Sequence, residues 1–154
     1  MKKMLLMGMV LLLMLPACGK EQTYEPVEVN QDIDVCEICN MSLANQNFVT
    51  EIISKDGDVY KFDDIGCMVE FIEKEERITE EEIAKQYVRD METGSWIELE
   101  QAYHVYHPDF WTPMANGVVT FESEERARQY LETEGKGELY NYEKLKQHQW
   151  SWEQ

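Results

Sequence analysis

The segment from Asn47 to Ser54, NFVTEIIS, is rich in apolar and β-branched positions and predicts a strand. Lys55-Asp56-Gly57-Asp58 then supplies the Asp-Gly pair of a tight hairpin, and Val59 to Phe62 the return strand. From here the spacing changes. Ile65, Met68, Val69 and Ile72 recur at helical intervals, with Asp63 or Asp64 in place to cap the helix. Ile83 to Val88 predicts a third strand, although Glu80 to Glu82 could equally open a short helix.

A similar order of signals follows. Ala102 to Tyr106 predicts a strand, Asn116-Gly117 a turn and Val118 to Phe121 the return strand. Ser123 caps EERARQYLETEG, and Gly135 ends it as a C-terminal glycine. Gly137 to Tyr142 forms a short strand or loop. Aligning Phe62 with Phe121 places Asp64 on Ser123, Phe71 on Tyr130 and Ile72 on Leu131. The pattern therefore predicts an α+β fold of two small pseudo-repeated ββαβ halves, at about residues 35–90 and 96–148 of a domain over 35–154.

The N-terminus reads differently. Met1-Lys2-Lys3 is a positive head, and Met4 to Leu15 is an unbroken apolar run. A bilayer core needs about 20 helical residues, so this run fits the apolar region of a secretory signal instead. Leu15-Pro16-Ala17-Cys18-Gly19 resembles a bacterial lipobox, predicting a signal peptide over 1–17 and a lipid on Cys18. Residues 18–34, with Glu21, Glu25, Pro26, Glu28 and Asp32, are expected to be the lipidated N-terminus and a flexible tether. The expected location is the extracytoplasmic face of the cell membrane, reached through the lipid.

Charge narrows the range of partners. The 154 residues carry 14 basic and 31 acidic side chains, a net −17. Removal of Lys2 and Lys3 with the leader makes the remainder more acidic still. Such a chain repels phosphate backbones, so no nucleic-acid partner is expected. An apolar fraction of 44% supports a globular core.

The chemistry gathers in CEICNM, Cys36 to Met41. Two thiols two residues apart can converge on one metal or form a disulfide. Met41 adds a thioether, and thiolates with thioethers select Cu(I) over harder ions. A zinc site ordinarily shows four paired Cys or His ligands, and no second paired module is present. With Cys18 committed to lipid, three thiols remain, so one disulfide would leave one free. The third, Cys67, sits on the predicted first helix and reads equally as a small buried hydrophobe. Met114 lies in a turn-rich loop, where packing gives a methionine little reason to be. His104 and His107 are close to that loop in sequence, and either could complete a Cu(I) site. In an extended segment Cys39 and Met41 would leave the same side, and Cys36 would need a turn at Glu37-Ile38 to join them.

These elements together resemble the NosL family, copper chaperones associated with nitrous oxide reductase. The lipobox ending at Cys18, CEICNM, YKFDDIGCM (Tyr60 to Met68) and TPMANGVVTFES (Thr112 to Ser123) carry the resemblance, in the expected order. It implies a fold of two ββαβ halves related to organomercurial lyase, with Cys39 and Met41 as the leading Cu(I) ligands and histidine as a third donor type. The family commonly has Gly where this chain has Asn40, a residue that tolerates left-handed backbone. The expected function is a membrane-anchored Cu(I) chaperone, not an enzyme, delivering copper to apo-nitrous oxide reductase or another exported cuproenzyme. The alternatives are a thiol-disulfide oxidoreductase or lyase-like enzyme, and a passive metal-buffering lipoprotein.

Overall fold

The computed structural model describes residues 22–150 together with Trp152; the signal peptide and Cys18 lie outside the described residues. Two antiparallel sheets are present. β1 (Thr50–Ser54), β2 (Val59–Phe62), β3 (Ile83–Arg89) and β4 (Trp96–Glu98) form the first, in the order β2-β1-β3-β4. β5 (Tyr103–Tyr106), β6 (Val118–Phe121) and β7 (Glu138–Tyr140) form the second, in the order β6-β5-β7. The helices are α1 (Ile65–Lys74), α2 (Glu124–Glu134) and α3 (Tyr142–Leu145).

β1 is buried along its whole length, as the centre of a sheet covered on both faces should be. It pairs with β2 from Thr50 opposite Phe62 to Ile53 opposite Val59. The connecting turn uses Gly57 at φ 92°, and the Ser54 hydroxyl accepts from the Asp58 amide. α1 follows directly, because the Asp64 carboxylate accepts from Cys67 N and caps it. Its buried face of Ile65, Cys67, Met68 and Phe71 meets the sheet through Phe62, whose ring lies 5.1 Å from that of Phe71.

Both sequence readings around Glu80 hold together. Thr79 and Glu82 form a reciprocal capping box around the 3-10 turn Glu80–Glu82, which runs straight into β3. In the second sheet, Ser123 caps α2 by accepting from Arg126 N, and Gly135 ends it in the left-handed region at φ 65°.

The structure corrects two expectations. β4 falls in the span assigned to the second half, yet it pairs with β3 in the first sheet. The tether does not hang free over its whole length. The Tyr87 hydroxyl donates to Tyr24 O (2.9 Å), Val27 N donates to Glu51 Oε2 (2.8 Å) and Lys61 Nζ meets Asp34 at 2.6 Å, with Val29 buried. The polar C-terminal segment also turns back to the body. His148 packs against the rings of Tyr106 (4.4 Å) and Trp150 (4.6 Å).

Two apolar clusters result. The smaller, Val105, Phe110, Val119, Phe121 and Ala127, lies between the second sheet and α2. The larger lies beneath α1 and draws Val118, Tyr140, Leu145 and Trp150 from the second half, so the two sheets share one core. No helix among the described residues is long and apolar enough to cross a membrane.

Candidate metal centre

Val35 pairs with Ser42 as an isolated bridge, and the six residues between them form a closed loop. Cys36 N donates to Met41 O (2.9 Å) and Asn40 N to Cys36 O (3.0 Å). Asn40 adopts φ 58°, in the left-handed region that asparagine tolerates. The extended geometry expected for Cys39 and Met41 is therefore absent. Residues 37–39 turn, and the turn gathers Cys36 with Cys39. Glu37 N donates to Lys61 O (3.0 Å), which fastens the loop against β2.

The end of β2 and the first turn of α1 supply the other side. Asp63 follows Phe62 and is buried; Cys67 is the third residue of α1 and also buried. The three sulfurs and an Asp63 oxygen lie within 4.8 Å of one another. Cys39 Sγ donates to Asp63 Oδ2 at 3.3 Å, while Asp63 Oδ1 has no partner among the described residues. All three cysteines are free thiols.

The thiols are not equivalent. A hydrogen bond from Cys67 brings Cys36 down to about 7 despite its burial, helped by amides of Cys39, Asp63 and Ile38. Burial pushes Cys39 up to about 12, and a charged Cys36 beside it acts in the same direction. Cys67 is raised because it donates to Cys36 and because it is buried. The arrangement favours one thiolate, Cys36, stabilised by a thiol donor and the amides around it. A bound cation would reverse this logic and expel the remaining thiol protons.

Cys36, Cys39 and Cys67 of the sequence candidates are thus brought together. Met41 is 45% exposed at the end of the same loop. Met114 is 37% exposed, and its backbone reaches α1, where its amide donates to Asp64 Oδ2 at 3.1 Å. The histidines do not join the converging donors. His104 is fully buried on central strand β5, with Nδ1 2.9 Å from Thr120 Oγ1, and burial pushes it down to about 3. His107 opens the β5–β6 loop, where its Nδ1 accepts from Asp109 N (3.1 Å) and its ring faces Phe110. Both are committed to the fold of their own sheet.

Asp63 is the donor that sequence reasoning did not count. Asp63 and Asp64 looked interchangeable as caps, but one helix N-terminus needs only one. The second carboxylate is thereby left for another task, and that redundancy is the signal a reader could use.

The NosL family model matches residues 26–150. The crystal structure of the copper chaperone NosL from Shewanella denitrificans superposes with a TM-score of 0.67 at 18% identity, covering 79% of this chain and 96% of that one. That likeness establishes a shared fold. No curated protein matches the chain. The family match takes in both sheets, the thiol loop and the Met114 loop, and the chain belongs to the NosL family.

Proposed function

We propose that this protein is an extracytoplasmic Cu(I) chaperone, anchored by a lipid on Cys18, that passes copper to an exported apo-cuproenzyme, nitrous oxide reductase foremost. The observation that carries the reading is the convergence of three thiols from two separate elements within 4.8 Å. Sulfur donors of this kind suit a soft monovalent ion. Cys36, Cys39 and Cys67 are the thiolate ligands, and the exposed thioethers of Met41 and Met114 complete and open the set. The Asp63 carboxylate accepts from the Cys39 thiol at 3.3 Å and supplies an oxygen donor beside the three sulfurs.

The gradient of exposure supports transfer. Cys36 and Cys67 are buried, Cys39 is half-buried, and both methionines reach solvent. An incoming ligand can attach at the methionine side before the buried sulfurs release. Five residues, 19–23, separate Cys18 from docked Tyr24, so the chain between them spans at most about 20 Å. The lipid would then hold the domain close to the membrane.

Mixing the Cu(I)-loaded protein with apo-nitrous oxide reductase under anaerobic conditions tests the reading. Copper is expected to move to the enzyme faster than through free chelated Cu(I). Transfer no faster than from the chelator would reduce the protein to a metal buffer. Cys18→Ala is expected to leave the soluble exported fraction enriched in the protein, or an unprocessed leader in the membrane. An unacylated mature N-terminus starting at another residue would refute the anchor.

A further inference from the structure

Asp64 does more than cap α1. It is 2% exposed, and three N–H groups converge on its carboxylate. Oδ1 accepts from Cys67 N (3.0 Å), Oδ2 accepts from Met114 N (3.1 Å), and Asn116 Nδ2 donates to both oxygens at 3.1 and 3.0 Å. Thr50 Oγ1 donates to the Asp64 carbonyl (3.3 Å), tying the same residue to β1. Capping alone needs no buried charge. Ser123, the cap of α2, holds Arg126 N with a hydroxyl. The additional donors at Asp64 both come from the 112–117 loop, some 50 residues further along the chain.

That loop is closed on itself before it reaches Asp64. Thr112 Oγ1 accepts from Asn116 N (2.9 Å) and Gly117 N (3.2 Å), and Ala115 stands at φ 56°. It then fits closely on α1. A Cβ on Gly66 would lie 1.9 Å from Asn116 Nδ2, so the loop rests in space that only glycine leaves. On the helix side of this joint Asp64 holds the amide of Cys67; on the loop side it holds the amide of Met114.

We infer that Asp64 is a positioning residue of the metal site, fixing the Met114 backbone over the first turn of α1 so that the Met114 thioether can join the thiols on a bound ion. The inference rests on the copper-site reading above. A flexible thioether loses little entropy on binding only if its backbone is already held, and Asp64 holds it at two points, Met114 N and Asn116 Nδ2. Asp64 therefore acts on copper through Met114.

Asp64→Ser separates capping from bridging, because serine keeps the cap and cannot span to the loop. Cu(I) affinity is measured by chelator competition for wild type, Asp64→Ser, Met114→Leu and the double variant. Each single change is expected to weaken binding by about tenfold, and the double no further than either alone, the mark of two groups acting as one unit. Multiplying losses, near a hundredfold in the double, would overturn the inference. So would Asp64→Ser binding as wild type while Met114→Leu does not. Circular dichroism checks the fold. Should Asp64→Ser fail to fold, Asn116→Ala leaves the cap untouched and is expected to show the same non-additivity with Met114→Leu; additive losses there would equally overturn the inference. If Met114→Leu binds normally while Cys39→Ser loses copper, the copper reading stands and the Asp64 role falls. Wild type that retains no Cu(I) would remove the copper reading itself.

Discussion

At the scale of single residues, burial has set titration behaviour in opposite directions. His104 is neutral inside the second sheet, near 3 when folded, against about 6.5 for a free histidine. The unfolded chain binds its proton first, so the stability tied to a neutral His104 is complete above about pH 6.5 and drains away as pH falls toward 3. His104→Gln is expected to flatten that acid limb in urea unfolding measured across a pH series; an unchanged slope would show that His104 is not responsible. Glu51 runs the other way. Burial raises its carboxyl, so the folded state holds the proton longer, and stability falls as pH rises from the ordinary glutamate range of about 4.3. Glu51→Gln should therefore raise the melting temperature at neutral pH, with the gain shrinking toward pH 4. A gain that persists undiminished at pH 4 would point to packing instead.

At the scale of elements, the sequence was most readable where backbone chemistry alone decides. The Asp-Gly turn, the caps at Asp64 and Ser123 and the stop at Gly135 all sit where local rules place them. Gly135 offers a clean test, since a Cβ there would meet nothing within 4 Å. Gly135→Ala should cost about 1 kcal/mol in unfolding free energy, purely from the left-handed backbone; no loss would mean that the helix end rearranges freely. What was not readable depended on contacts between distant segments. Val27 bonds a carboxylate on β1 that no local pattern links to it, so residues 24–34 looked like free tether. The thiol loop looked extended because period-two spacing ignores the Cys36–Met41 closure and the left-handed Asn40. Asp63 was invisible as a donor because its role follows only once Asp64 takes the cap. His104, near the Met114 loop in sequence, is buried on the central strand of its sheet, a matter of strand register that proximity along the chain does not fix, and His107 turns to Asp109 N in the loop that follows.

At the scale of the whole molecule, the two sheets are not separable folding units. Val118, Tyr140 and Trp150 belong to the core beneath α1, and buried Asp90 at the end of β3 accepts from Glu122 N at 2.8 Å, joining the sheets again. Unfolding should be one cooperative transition, with probes in each half giving the same midpoint. Separate midpoints would contradict a shared core. The shared core also holds the thiol loop and α1 in one frame, to which Asp64 ties the Met114 loop, and the candidate metal site depends on that frame. The central claim is that this frame builds a soft-metal site, and metal competition on the reduced protein tests it most directly. Under anaerobic reducing conditions the wild-type protein should retain Cu(I) against a Cu(I) chelator and release Zn(II) to a weak one, and Cys39→Ser, still folded, should lose the copper. Tight stoichiometric zinc with no copper retention, or unchanged copper affinity in a folded Cys39→Ser, would contradict it.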